Sequence, residues 1–432
     1  MANVLIIGAG LAGVPCAYEL RRQLSPEHQV TVVAPSSRFD FIPSNGWLAL
    51  GWRNSADVQV DLREPMARRG ISLREQAAVA IDPAAKTVKL ESGQVLGYDQ
   101  LILAAGPTCA FDEVPGLGPA SVGGHTQALS THAQALEAWT AWQRFLLNPG
   151  PIVVGAAPGA SGFGPAAEFA LMLDDELRRQ KIRHRAPITF VTPEPYLGHL
   201  GKGDANGSRA FVEGQFSRRA ISAITNARVD SAASGSLQVT RYADSGVPLA
   251  TETLPFHYAM VLPAYRGPGI ARFLPATCDA RGYLRVDAHQ RCLSYADVWA
   301  VGANVAAPPP PWTPVPVSTP KNGNNIEGMV RTACANLAAT LAGQPPLATN
   351  KWTSVCIPDY GGQGEVLNAL KQIATATKPG DGGRWLQLMK IAYEKYFLDQ
   401  VRSGVAAPPY HPDARARLLG QPGPTGDEAA RA

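Results

Sequence analysis

Short apolar runs that break abruptly into glycine recur along this chain, and they predict its architecture. Val4-Leu5-Ile6-Ile7 is followed by Gly8-Ala9-Gly10-Leu11-Ala12-Gly13, then by Val14–Leu24, whose pattern continues as a helix. Val30-Thr31-Val32-Val33 reads as a second strand, and Leu101-Ile102-Leu103 as a third that ends in the small residues Ala104-Ala105-Gly106. Pro151-Ile152-Val153-Val154-Gly155 opens another strand–glycine–helix unit, running through Gly159, Gly162 and Gly164 to Glu168. Val298-Trp299-Ala300-Val301-Gly302-Ala303 is a later strand of the same kind. Continuous apolar strands alternating with helices predict an α/β chain with parallel sheets buried on both faces.

The first glycine run matches G-x-G-x-x-G at the first strand of the chain, where it opens a helix. Gly8 allows the tight turn, Gly10 lets the backbone approach a pyrophosphate, and Gly13 permits close helix–strand packing. The helix N-terminus presents free N–H groups to phosphate. The carboxylate expected at the end of the second strand is absent: Ala34 or Pro35 stands there, with Ser36 and Ser37 the nearest polar groups. That loss counts against exchangeable NAD and is better tolerated by FAD gripped along its whole length.

Composition narrows the class. The chain has 432 residues, enough for two or three domains. Charged residues make up 17% and the net charge is +4, which gives no electrostatic support for a nucleic-acid partner. Six scattered cysteines form no C-x-x-C and no zinc spacing, so no metal site and no disulfide framework are expected. No signal-peptide pattern precedes the first strand, and no apolar run is long enough to span a bilayer. Residues 305–320 are rich in proline and predict an extended connection. Near the C-terminus, apolar residues at 385, 388, 389, 392 and 396 recur at helical spacing, with Lys390 and Lys395 beside them. Such a face suits the bilayer interface.

Further segments carry a specific resemblance. Phe41-Ile42-Pro43-Ser44-Asn45-Gly46-Trp47, Glu194-Pro195-Tyr196-Leu197-Gly198-His199-Leu200, Thr313-Pro314-Val315-Pro316, Pro320-Lys321, Ile326-Glu327 and Trp352-Thr353-Ser354-Val355-Cys356 occur in this order. Together they resemble the sulfide:quinone oxidoreductase and flavocytochrome c sulfide dehydrogenase group of FAD flavoproteins, from residue 1 to about residue 405. The resemblance implies two Rossmann-like domains in the manner of the disulfide reductases: 1–110 with 280–345 for FAD, 111–279 for the second, a C-terminal redox, quinone and membrane region at 346–410, and a flexible tail at 411–432. FAD is expected to be non-covalent, since the region around Phe41 offers no cysteine. Its contacts are expected from Gly8, Gly10, Gly13, Ser36, Ala78, Gly106, Gly302 and Lys321, the last stabilising an anionic reduced flavin.

The resemblance implies electron flow from sulfide or a related sulfur species through FAD to quinone, at a peripheral, monotopic site on a bacterial inner membrane. A homo-oligomer is compatible with it. Cys356 stands at one of the family's two flavin-facing cysteines, while Gly162 and Ala128 stand where further cysteines occur. Cys109, after Ala105-Gly106-Pro107, is a candidate substitute partner. Glu168, His132 and His199 are expected near the active site as proton-moving groups, with His132 on a surface helix. Two rivals remain. A type II NADH:quinone oxidoreductase would need a second dinucleotide turn, but the loop between Gly155 and Glu168 is long for one. A non-catalytic FAD-binding paralogue that senses sulfur species would show no turnover.

Overall fold

The computed structural model describes residues 1–201, 203, 208–321, 323–350 and 382–405. The first unit runs β1 (Asn3–Ile7), α1 (Gly13–Gln23), β2 (Gln29–Ala34), β3 (Ile71–Glu75) and β4 (Gln100–Leu103). Val4–Ile7 is buried, as are Val30, Val32, Val33 and Leu101–Leu103, so these apolar strands are enclosed on both faces. The second unit runs α2 (His132–Leu147), β5 (Ile152–Ala156), α3 (Phe163–Arg179), β6 (Ile188–Val191), β7 (Ile221–Ile224) and β8 (Tyr258–Leu262). The chain then returns to the first unit with β9 (Val298–Ala300), and continues into α4 (Gly323–Leu341) and α5 (Gly382–Ser403).

Two parallel sheets result. In the first the order is β9-β4-β1-β2-β3, with Val4 opposite Val30 on one side and Gln100 on the other. The second has the order β7-β6-β5-β8, with Ile152 opposite Ile188 and Tyr258. A three-stranded antiparallel sheet (227–233, 236–242 and 248–255) lies between β7 and β8 in the chain. Helix α4 packs beside α1 on the first sheet, bringing the buried Cys16 and Cys334 sulfurs to 3.3 Å. Helix α2 closes the second unit through Trp142, whose ring lies 4.9 Å from Phe145 and 5.5 Å from Tyr258. Residues 305–320 form no strand or helix, as their prolines predict.

Helix α5 corrects one expectation. Its buried face carries Glu394, Phe397, Leu398 and Val401, an i, i+3, i+4, i+7 set. Phe397 stacks 5.7 Å from Phe39 and 5.3 Å from Phe41, and the Tyr18 hydroxyl donates to the Val401 carbonyl at 2.9 Å. The expected stripe falls on the opposite side, where Ala392 is exposed and Tyr396 half-buried. Lys390, expected at an interface beside that stripe, is instead mostly enclosed in an ion pair with Glu168. Aromatic residues at 393 and 397 and the buried Glu394 define the docked face; the simple apolar count missed it. Side chains at 385, 388 and 389 lie outside the described residues. Among the described residues no helix is long and apolar enough to cross a membrane.

Candidate functional site

The first glycine turn is built for close approach. Gly8 has φ +110°, and a Cβ there would overlap the Ala104 carbonyl at the end of β4. A Cβ on Gly13 would overlap the Gly8 carbonyl, so this glycine holds α1 against the turn. Gly10 is different: no described atom lies within 4 Å of a Cβ placed there, so its front is open. Helix α1 has no side-chain cap and no acidic residue in its first turn, leaving its N-terminal N–H groups and partial positive charge for an anion. Gly106, at φ +70°, is likewise open. Gly302, at φ +88°, backs onto Ala12 of the same turn.

Beside Gly302 the sequence reading missed Asn304. It is fully buried and donates from Nδ2 to the Leu103 carbonyl at 2.9 Å, while its Oδ1 has no hydrogen-bond partner among the described residues. A buried orphan acceptor between β4 and the Gly302 turn marks a place for a ligand donor. The one available signal was a polar residue two places beyond that glycine.

Lys321 reaches the same region. Its ammonium donates to the Ala303 carbonyl at 2.9 Å and sits 3.3 Å from the Tyr283 ring centroid. No carboxylate pairs with it among the described residues, and burial pulls its pKa down to about 7, against the pull of Asp279. A poorly compensated cation of this kind favours a neighbouring anion. Ser36 lies two residues beyond β2, its hydroxyl accepting from the Arg38 amide at 3.1 Å, and Ala78 starts the strand Ala78–Asp82.

The second glycine turn is closed. Gly159 N–H donates to the Pro316 carbonyl at 2.6 Å, the Ser318 N–H to the Ala160 carbonyl at 2.9 Å, and the Ser318 hydroxyl to the Gly159 carbonyl at 2.8 Å. The Thr313–Ser318 segment therefore lies across the turn and takes the Gly159 N–H, a donor that a pyrophosphate would use. At the end of β6, the place of a ribose-binding carboxylate, Glu194 is buried. It accepts from the Thr192 hydroxyl at 2.8 Å and the Leu200 amide at 2.6 Å, facing its own loop. Burial raises Glu194 to about 7 despite these bonds. Gly162 precedes α3, and a Cβ there would lie 2.7 Å from Leu262 Cδ1. Leu262 thus fills the space a side chain at 162 would take.

The expected proton-moving residues stand apart, each with its own partner. His132 begins α2, a helix with the exposed outer face expected of it, but the His132 side chain itself is buried; its Nε2 is 3.0 Å from the Ser55 hydroxyl. The packing of Ala135, Ala138 and Trp142 on the same helix draws this end inward. His199 is buried with its ring 5.3 Å from Tyr196, and desolvation lowers its pKa. Glu168 of α3 pairs with Lys390 of α5, both side chains mostly enclosed. Cys109 lies 4.0 Å from the Gln134 amide nitrogen, and burial pushes its thiol up, away from the reactive thiolate. Cys356 lies outside the described residues. Glu327, in the first turns of α4, has both carboxyl oxygens shielded and without hydrogen bonds among the described residues, with Arg331 at 3.9 Å. Burial raises it to about 7, and its charge is felt at Tyr396 of α5.

A first sheet with an open glycine turn, an uncapped helix and a second, closed nucleotide-type unit defines a two-Rossmann oxidoreductase. Residues 2–313 match the pyridine nucleotide-disulphide oxidoreductase family, to which the chain belongs. Along nearly its whole length it is similar to the sulfide-quinone reductase of Aquifex aeolicus, 33% identical over 417 residues that cover 94% of this chain and 93% of that one. The crystal structure of the sulfide:quinone oxidoreductase from Aquifex aeolicus superposes with a TM-score of 0.86 at 31% identity, covering 98% of this chain and 96% of that one. An NADH dehydrogenase-like protein of Mycobacterium tuberculosis is more distant, 24% identical over 85% of this chain and 87% of its own. The chain is an FAD flavoprotein of the disulfide-reductase-like fold. The open Gly10, the uncapped α1, the orphan Asn304 Oδ1 and the buried Lys321 fit that cofactor.

Proposed function

We propose that this protein is a peripheral membrane enzyme that passes electrons from sulfide, or a related sulfur species, to quinone. The observation that carries the donor side is the closed second glycine turn. The Gly159 amide is bonded to Pro316, the Thr313–Ser318 segment lies across the turn, and Glu194 is turned inward, which leaves NADH without a cradle. FAD, when bound, supplies the two-electron relay between donor and quinone. Gly8, Gly10, Gly13 and the α1 N-terminus hold its pyrophosphate, Gly106 and Gly302 let backbone lie against it, and Ser36 and Ala78 flank it. Lys321 counters negative charge where the cofactor gains electrons.

On the sulfur side Cys356, as a thiolate, would take sulfane sulfur from a polysulfide or persulfide donor by breaking its S–S bond and releasing the shorter thiolate. With sulfide itself as donor, bound FAD would supply the two-electron oxidation that joins it to Cys356 as a persulfide. With Gly162 and Leu262 where a second thiol would stand, no two-cysteine sulfur bridge forms, and product leaves as a short polysulfide or passes to a soluble thiol. His132, His199 and Glu168 hold or move protons at the donor side. Quinone takes up two protons on reduction, and Glu327, whose pKa burial raises to about 7 and whose charge is felt at Tyr396 of α5, would deliver one. The test is anaerobic mixing with sulfide, polysulfide, glutathione persulfide and NADH in turn, followed by reoxidation with a short-chain quinone. The reading requires bleaching by a sulfur species and recovery with quinone. Bleaching by NADH alone, or by nothing, rejects it.

A further inference from the structure

Among the described residues, what holds the Lys321 ammonium is an aromatic face rather than a carboxylate. Nζ sits 3.3 Å from the Tyr283 ring centroid while it donates to the Ala303 carbonyl at 2.9 Å. The backbone fixes that ring in place. Asp279 Oδ1 accepts from the Arg281 and Tyr283 amides, both at 2.9 Å, and the Asp279 N–H donates to the Tyr283 carbonyl at 2.8 Å. Gly282 closes this turn at φ +77°. The Leu284 N–H then donates to the Asn304 carbonyl at 2.9 Å, and the Ala306 N–H to the Leu284 carbonyl at 2.8 Å. Tyr283 is thus held in register beside Ala303 and Asn304. Gly302 backs onto Ala12 of the first glycine turn, and Asn304 bonds the end of β4, so the ammonium stands at the edge of the cofactor cradle.

The choice of partner matters. A carboxylate would hold a buried ammonium by cancelling its charge, whereas an aromatic face attracts it through the ring quadrupole and adds no net negative charge. Asp279 is felt at Lys321, but its Oδ1 is already bonded to the two turn amides. We propose that Tyr283 is a positioning residue for bound FAD: its ring keeps the Lys321 ammonium at the Gly302 turn with its charge uncancelled, which raises the reduction potential of the flavin. This rests on the reading that Lys321 faces the flavin. The other titratable groups here leave that charge in place. Burial pushes the Tyr283 hydroxyl up to about 12, and it pushes up the Cys109 thiol felt there, so both stay neutral. Arg281 and Glu113, which also act on Tyr283, pair with each other at 2.9 Å. Burial pulls Lys321 down to about 7, so losing the ring tips it toward the neutral amine at neutral pH.

The experiment reads the flavin midpoint potential of the holoenzyme against a reference dye, first at neutral pH and then at rising pH. Lys321→Met should lower the two-electron reduction equilibrium at least about tenfold, some 30 mV. Tyr283→Leu should lower it by at least about fivefold, and Tyr283→Phe, which keeps the ring, by less than about twofold. The gap between Tyr283→Leu and wild type should close as pH rises, because wild type then loses the same charge by deprotonation. Added to Lys321→Met, Tyr283→Leu should change nothing further. A further drop in that double variant overturns the inference. So does a gap that pH leaves constant, or a loss in Tyr283→Phe equal to that in Tyr283→Leu. Should Tyr283→Leu fail to hold FAD, replacing Tyr283 with a fluorinated phenylalanine keeps the shape and weakens the negative face of the ring. A wild-type potential there overturns the inference too. A wild-type potential in Lys321→Met fails at the Lys321 reading itself, and Tyr283 falls with it. A lowered potential in Lys321→Met with none in Tyr283→Leu fails at Tyr283 alone.

Discussion

The two glycine turns have the same origin, a buried parallel strand running into a helix, and opposite fates. Around Gly8–Gly13 the turn's close contacts are internal and Gly10 faces open space, ahead of a helix end that, like that of α3, has no side-chain cap. Around Gly155–Gly162 the chain supplies its own occupant, with Pro316 and Ser318 bonded to Gly159 and Ala160. What separates a cofactor site from a scaffold is therefore who satisfies the turn's polar groups, not the strand–turn–helix itself. A segment more than 150 residues downstream made that decision for the second unit.

The strongest break of this comparison is at Gly13. Gly13→Ala drives a Cβ into the Gly8 carbonyl, about 3 kcal/mol of overpacking, and purified protein should retain roughly a hundredfold less FAD, read from its flavin absorbance. Gly10→Ala meets no described atom, so any loss of flavin there reports on the cofactor's own approach. Next comes Cys356→Ser: sulfide-dependent flavin reduction should fall at least about tenfold, some 1.4 kcal/mol in barrier, with FAD still bound. Wild-type turnover would remove this residue from the mechanism.

Glu327→Gln comes third, with reoxidation by quinone slowed by roughly fivefold and reduction by sulfide untouched. In wild type, reoxidation should weaken as pH rises through about 7, where Glu327 gives up its proton, and the variant should lose that inflection. The same shift bears on stability. Because the native state holds this proton more tightly than the unfolded chain, stability is fully present below about pH 4.5 and is lost as pH rises to about 7. Thermal denaturation of Glu327→Gln should be flatter across that window. The smallest expected effect is with NADH, which should leave the flavin band unchanged in stopped-flow mixing.

Much of the first turn was legible in the sequence because its chemistry is local: Gly8, Gly10 and Gly13 act within six residues. Lys321 was legible through its segment, and the structure brings it to Ala303. The rest depends on contacts that spacing does not encode. Asn304 became a candidate only when its Oδ1 proved buried and unanswered. Leu262 filling the space beside Gly162 joins residues 100 apart. The docked face of α5 was not legible, because its burial follows Phe39 and Phe41, supplied from the other end of the chain. Glu394, which no sequence pattern singled out, is buried and bonded to Arg53 and Ser44.

The contact between Tyr18 and Val401 spans 383 positions. A ribosome releases the first sheet long before the helix that seals it, and β9 arrives only at residue 298. Until then the face of α1 around Tyr18 and the aromatic pair at 39 and 41 have no cover. Synthesis order thus works against this unit, since the piece made first must wait for the piece made last. A nascent chain stalled before residue 390 would expose those rings to any sticky neighbour. The place to look for help from a chaperone is therefore the N-terminal sheet during translation, and a tag fused close behind Val401 would interfere with the closing step.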